Sequence, residues 1–394
     1  MSLFHIPLEQ IQETDLKALI DNKVRESRTI EYKEKLPSTP EENERFCFTV
    51  CSFANTAGGD VLFGVKERRE GEKPTGEPET IFPLSDNFDS ERLRLLQLIK
   101  SNLEPRISGC RIEAIAVTGG YVCIVRIPKS WVGLQAVRRN EAYRFYHRTS
   151  AGRSTMDMTE IRAGFAAAVE GYDRLHNIRL KRIAMIRENR GPVDLQEGPL
   201  TILHIIPLSV MNPTIQFDVK PLEIDYGFLP IRHTASWNDR YTFDGILRYS
   251  LPEVPSTRSY VQFFRNGIVE ACSVGLVASP AEGKRLYVQE IEASIRKALP
   301  AYLNTLKKLG ATHPSLLSLT LVKVKDFALT VSSYTTERVT PFREDDLIVP
   351  EILIENDETQ LDSILRPAFD RIWNAAGLSG SLSYDEEGNW KPGR

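Results

Sequence analysis

Apolar residues recur at helical spacing over residues 8–22 (LEQIQETDLKALIDN), and that periodicity predicts a short helix. RTIEYK at 28–33 alternates with period two, placing Ile30 and Tyr32 on one face of a strand and Glu31 and Lys33 on the other. In LPSTPEENERF, Thr39 precedes Pro40 and Glu42 stands three residues after Thr39, a capping box with proline at the first helical position. The helix is expected to run to about Asn55 and to bury Phe46, Val50, Phe53 and Ala54. NTAGGDVLFGV follows as a helix stop, a glycine turn and an apolar strand at 61–65. ERREGEKPTGEPE, polar and turn-rich, reads as an exposed loop.

Downstream, a helix is predicted at 89–103, and strands at 111–118 and 121–127 flank Gly119-Gly120 as a hairpin. YRFYHR at 143–148 reads as an edge strand, with Arg144, Tyr146 and Arg148 on one face and Tyr143, Phe145 and His147 on the other. Ser154 or Thr155 is placed to cap a long helix from 158. The pattern restarts after GPVDLQEGP, with strands expected near 201–207, 215–221, 241–248, 258–265 and 268–276. A helix near 288–309 and a strand near 317–325 follow. A length of 394 residues suits two domains, read as 1–190 and 191–394, each a mixture of helices and strands.

Composition narrows the classes. Five cysteines form no CxxC, and Cys47 and Cys51 sit at i,i+4 with the apolar side of a helix, so a reduced cytoplasmic chain is the plain reading. Six scattered histidines show no HExxH, which argues against zinc. No run approaches 18 uncharged apolar residues, and neither an export signal nor a membrane partner is read.

Overall charge is nearly balanced, 50 basic against 53 acidic residues, which excludes a protein basic over its whole surface. The balance is uneven along the chain: residues 106–190 hold 16 basic and 7 acidic side chains, and 340–394 hold 5 and 12. Within the basic stretch Arg138, Arg139, Arg144, Arg148 and Arg153 alternate with Tyr143, Phe145 and Tyr146. Guanidinium groups suit phosphate and aromatic rings suit unpaired bases, so these five arginines are the expected contacts to RNA or DNA. The plainer account is a solvated turn at Arg138-Arg139 and a core Phe145.

A second constellation is acidic. Glu31-Tyr32-Lys33 points a carboxylate and an ammonium the same way. That pair can hold Mg²⁺ or Mn²⁺ while stabilising charge that develops on a phosphate. Glu26 reaches the same place if the chain bends near Ser27, and Glu67 does so if the two strands are neighbours. A half-exposed strand shows the same alternation without any metal.

Three ordered blocks, ESRTIEYKE, CSFANTAGGDVLFGVKE and YRFYHRTSAGRSTMDMTEI, resemble the Schlafen/AlbA_2 domain over roughly residues 20–165. Bacterial members carry DNA-binding or divergent AAA labels. The resemblance implies an α/β (α+β) Schlafen AlbA_2-like N-terminal domain followed by a second mixed α/β domain. Vertebrate relatives include metal-dependent endoribonucleases that use two glutamates five residues apart and a later aspartate. The matching positions are Glu26, Glu31 and, where glutamate replaces aspartate, Glu67, with Mg²⁺ or Mn²⁺ as the implied ion. The AAA label does not extend to ATP hydrolysis, because no GxxxxGK[ST] occurs.

The expectation is thus a nucleic-acid-processing protein with Glu26, Glu31, Lys33 and Glu67 as its catalytic set, acting as a metal-dependent endoribonuclease on RNA. The alternative is a non-catalytic DNA- or RNA-binding regulator, or an interaction module of a bacterial defence or stress assembly. The C-terminal domain is assigned at most a homo-oligomer or protein partner. In PIRHTASWNDRYTFDGILRY, His233, Trp237, Asp239, Arg240 and Asp244 read as a hydrogen-bonded strand-to-loop junction in preference to a recognition surface.

Overall fold

The computed structural model describes residues 3, 6–107, 109–131, 133–139, 142–149, 152–212, 215–225, 227–232, 236–251, 256–275, 277, 283–311, 313–330, 339–355 and 360–391. These fall into two compact units, Met1–Asp173 and Arg174–Arg394. The division lies inside one long helix, upstream of the 190/191 boundary read from the sequence.

The first unit is built in the order α1 (Glu13–Asp21), β1 (Ile30–Lys33), α2 (Pro40–Ala54), β2 (Gly59–Phe63), β3 (Val65–Glu70), β4 (Lys73–Ile81) and α3 (Phe88–Asn102). It continues through β5 (Leu103–Glu104), β6 (Arg111–Val117), β7 (Gly120–Ile127), β8 (Ala136–Arg139), β9 (Ala142–Arg144), β10 (Tyr146–Thr149) and β11 (Gly152–Thr155) to α4 (Met158–Arg187). Its central sheet has the order β1-β2-β7-β6, with β1 and β2 parallel and the other pairs antiparallel. Alternation sends Ile30, Tyr32, Leu62, Val122 and Ile124 toward α1, while Val61, Phe63, Cys123 and Val125 meet α2 and α3.

The α2 cap forms as its sequence requires. Thr39 Oγ1 accepts from Glu42 N, Glu42 Oε2 accepts from Thr39 N, and Pro40 opens the helix. Both Cys47 and Cys51 face the core, and burial pushes their thiols up to about 12. The predicted first helix is shorter than its apolar period, a 3₁₀ turn at Leu8–Gln10 followed by α1.

Four expectations need correction. ERREGEKPTGEPE is not a loop but the β3–β4 hairpin, because polar strands that pair with one another need no buried face to be strands. YRFYHR is two strands: β9 pairs β8, and β10 pairs β11. The long helix is capped by Asp157, not by Ser154 or Thr155: Asp157 Oδ1 accepts from Glu160 N, and Glu160 Oε2 accepts from Asp157 N. No strand forms in the described part of 215–221, where a 3₁₀ turn begins at Lys220.

The second unit is an antiparallel sheet. Its strands are β12 (Leu200–Pro207), β13 (Trp237–Tyr241), β14 (Gly245–Ser250), β15 (Ser259–Phe264), β16 (Val269–Val274), β18 (Ser315–Val322), β20 (Asp346–Ile348) and β21 (Ile352–Ile354). A separate short pair, β17 (Arg285–Leu286) and β19 (Ala328–Leu329), lies apart. The order is β13-β14-β15-β16-β12-β18-β20, with β21 also on β18. One face packs on α5 (Val288–Lys308) and α6 (Leu361–Ala375), and the other on Ile183 and Ile186 of α4. Asn266-Gly267 turns β15 into β16, with Gly267 at φ +89°. Trp237, Asp239, Arg240 and Asp244 belong to the β13–β14 hairpin, and His233 lies outside the described residues.

The turn that closes α2 onto β2 is the tightest sequence requirement in the first unit. Gly58 sits at φ +73°, and a Cβ on Gly59 would stand 2.5 Å from the Phe53 ring and 2.7 Å from the Thr29 carbonyl oxygen. Gly59→Ala is expected to destabilise the fold by about 1–3 kcal/mol, as overpacking does. A lower urea midpoint with unchanged slope checks this.

Candidate nucleic-acid interface and carboxylate cluster

β1 carries Glu31 opposite Val61 of β2 on the sheet face that α2 covers, so a carboxylate enters a largely apolar layer. The chain before β1 bends at Ser27, whose N–H donates to the Ile30 carbonyl at 3.0 Å. That bend returns Glu26, and its Oε1 accepts from Tyr32 N at 2.8 Å. Glu26 N donates to the Gly76 carbonyl at 2.7 Å, while Gly76 N donates to Glu67 Oε1. Gly76 of β4 therefore joins two of the candidate carboxylate residues. An added Cβ there would lie 3.7 Å from that of Glu26.

Two cations enter this group. Lys33 Nζ stands 2.8 Å from Glu31 Oε1 and 3.9 Å from Glu26 Oε1. The Arg148 guanidinium donates through Nη1 to Glu31 Oε2 and through Nη2 to the Ser27 carbonyl at 2.8 Å. It also lies 4.4 Å from the Phe53 ring centre. Arg148 is 4% exposed and Glu31 8%, so this is a buried ion pair.

Burial raises the cost of charge on Glu31, yet Lys33 and Arg148 outweigh it and hold the carboxyl below its ordinary value. Glu26 goes the other way. Burial is its largest influence, with Glu31 and Glu67 adding repulsion, and these exceed the help from Lys33 and Tyr32 N–H.

The Mg²⁺ or Mn²⁺ expected at Glu26, Glu31 and Glu67 can be tested against this arrangement. Both oxygens of Glu31 are engaged by cations, and Glu26 and Glu67 each commit one oxygen to a backbone N–H. Among the described residues no three His, Cys, Asp or Glu side chains group closely enough to hold a metal ion. The carboxylates as placed fit their own cations and do not fit a divalent one.

The five expected nucleic-acid contacts separate. Arg148 is committed to Glu31 and buried, which the alternating pattern of YRFYHR did not distinguish from an exposed face. Arg153 pairs with Arg148 in the β10–β11 register but is exposed. Its Nη1 donates to the Arg45 carbonyl at 3.0 Å and Thr49 Oγ1 at 3.3 Å, with its guanidinium 5.2 Å from the Phe48 ring centre.

Arg138, Arg139 and Arg144 lie on the β8–β9 ribbon, where Arg138 faces Tyr143 and Arg144 faces Val137 across the strands. Arg138 and Arg144 are exposed, whereas Arg139 Nε pairs with Glu44 at 2.7 Å. Arg138, Arg139, Asn43, Glu44 and Asn102 line part of a cleft of about 400 Å³. His147, a conceivable proton carrier from its residue type, stands 3.4 Å from Glu160 through Nδ1.

Three contributors escaped the sequence reading. Arg45, exposed on α2, lies near enough to Arg153 for the two charges to repel. Asn55 accepts from Gln135 N at 2.7 Å and donates to the carbonyls of Gln135 at 2.8 Å and Tyr146 at 3.0 Å. Thr56 Oγ1 accepts from Arg148 N at 2.8 Å. FANT is thus more than a helix stop: its polar pair aligns β10 so that Arg148 reaches Glu31. The signal was present as two side chains that can bond backbone on either side of a turn.

Residues 26–157, within the first unit, match the family model Schlafen, AlbA_2, in agreement with the three blocks. Among solved structures, the chain is similar to the N-terminal domain of a RecG-related protein from Nitrosomonas europaea. That likeness is 24% identical, covers 30% of this chain and 74% of that one, and has a TM-score of 0.25. It is also similar to the DIP2311 protein from Corynebacterium diphtheriae, at 16% identity and a TM-score of 0.26, covering 36% of this chain and 26% of that one. Neither likeness bears on activity. No curated protein matches the chain.

The buried pair makes a stability prediction. Arg148→Met strands the Glu31 carboxylate with only Lys33 beside it, and a cost of about 3–5 kcal/mol is expected from a broken buried pair. In the parent protein, the stabilisation from Glu31 is complete above the ordinary value of 4.5 and is lost as pH falls through its lower folded value. In Arg148→Met that acid-side loss shrinks. Urea melts between pH 3 and 7 read both effects.

Proposed function

We propose that the first unit is a nucleic-acid-binding domain. It would grip phosphates at Arg45 and Arg153, with Lys33 on Glu31 and Arg138 and Arg144 on the β8–β9 ribbon adding basic side chains. The observation that carries this reading is the grouping of Arg45, Arg148 and Glu31 around Arg153. One arginine is buried to fix the frame, and two are left exposed to meet a ligand. Guanidinium groups present paired donors suited to phosphate oxygens. The carboxylates hold the cations in place instead of serving a metal.

A second reading is hydrolysis of RNA at Glu26, Glu31 and Glu67. It is favoured by the meeting of Glu26 and Glu67 on the Gly76 peptide and of Glu26 and Glu31 on Lys33. This reading would need Glu26, Glu31 and Glu67 to rearrange to hold Mg²⁺ or Mn²⁺, which would supply Lewis acidity there. Lys33 then has to leave Glu31 for that carboxylate to serve as a ligand.

One set of measurements tests both readings. Binding of a single-stranded RNA and a single-stranded DNA oligonucleotide is followed by anisotropy between 50 and 300 mM salt. The log–log slope is expected to be negative and to lose about 0.7 for each phosphate contact removed on a single strand, so the Arg45→Ala/Arg153→Ala double variant has a shallower slope. A slope near zero in the parent protein overturns the binding reading. Total tRNA is incubated in parallel with and without Mn²⁺. Cleavage that needs Mn²⁺ and disappears in Glu26→Ala/Glu31→Ala promotes the second reading over a binding-only role.

A further inference from the structure

In the second unit a carboxylate is buried with no ion-pair partner among the described residues. Glu292, on α5, is fully buried. It accepts from Trp373 Nε1 of α6 at 2.6 Å, from Ser381 Oγ at 3.0 Å, and from Ser383 Oγ. Ser381 and Ser383 belong to the final described segment, 379–391, which crosses α5 and α6. Besides Glu292, that segment is met by Ser381 N donating to Asp370 Oδ1 at 2.8 Å, Tyr384 OH donating to Asp362 Oδ1 at 3.3 Å and Asn374 Nδ2 donating to the Ser379 carbonyl at 3.0 Å. The Arg296 and Arg366 guanidinium groups lie over the Trp390 and Tyr384 rings at 5.2 and 5.8 Å. Tyr384 and Trp390 meet edge to face at 5.2 Å.

We propose that residues 379–391 form a strap that Glu292 fastens to the second unit and that loosens as the solution goes from acid to neutral. The charged groups around the carboxylate explain the direction. Arg296, from α5, is engaged by Asp362, and Arg366, from α6, stands 3.8 Å from Asp370. On the strap, Lys391 is paired with Asp385 at 2.7 Å. Asp370 adds repulsion to Glu292, and among the described residues no cation pairs with that carboxylate.

Burial therefore dominates and pushes Glu292 up to about 7, although the three hydroxyl and indole donors favour its ionised form. With the strap closed the carboxyl keeps a proton that a hydrated glutamate gives up at 4.5. Closure thus weakens as pH rises from 4.5 to about 7 and has no further dependence above that.

Indole ¹⁵N–¹H signals of Trp373 and Trp390 in the full chain test this between pH 5.5 and 8.5. The expected result is that both move together with a midpoint near pH 7, and that Glu292→Gln leaves both flat. Ser383→Ala, which removes one donor to the ionised form, is expected to raise the midpoint. Movement of Trp373 alone overturns the proposal, because the carboxyl then ionises without the strap moving. Two flat signals in the parent protein, or an unmoved midpoint in Ser383→Ala, overturn it as well.

Discussion

The ion pair between Glu31 and Arg148 is the constraint around which the first unit is arranged. It forces a strand, a helix end and a distant hairpin into one register. Glu31 is fixed by β1 pairing with β2, and Arg148 by Thr56 at the end of α2. Neither charge is tolerable alone, since desolvating an unpaired carboxylate or guanidinium costs several kcal/mol even after relaxation. The polar groups of FANT, the glycine turn after it and the bend at Ser27 all serve to bring these two side chains together.

The same logic recurs in the second unit with different elements. Arg182 and Arg179 of α4 reach Glu270 and Glu351, and Arg248 donates to Asp239 and to the carbonyls of Asp225 and Phe228. Glu270 is buried yet held at about 2, because Arg182 and His204 bind it from two sides and offset the burial. Glu292 is the exception that shows what the arginines do. With hydroxyl and indole donors and no ion-pair partner among the described residues, a comparably buried carboxyl goes up to about 7. Charge partners, more than depth, decide the state of each buried acid.

Much of the first unit was legible in its residues because local rules governed it. The Thr39–Glu42 capping box, the Gly119-Gly120 hairpin and the inward side of α2 each depend on a few neighbours along the chain. The β3–β4 hairpin was not legible, since its strands stabilise one another across a turn and carry no buried face to imprint a pattern. Arg148 was placed on the correct strand face, beside Tyr146, but that face proved to be the inner one. Alternation tells which residues share a side and is silent about which side is wet.

For the candidate site the division is sharper. Glu31 and Lys33 share a strand face in the sequence pattern, and Glu26, five residues before Glu31, joins them on condition of a bend near Ser27. The concentration of arginine between 106 and 190 is also written in the sequence. Which arginine is spent internally and which are exposed is settled by folding. That choice rests on contacts between residues more than 100 positions apart, Arg148 with Glu31 and Arg153 with Arg45. Burial, and with it the strength of every charge interaction, is a property of packing, so it enters only when the chain has folded.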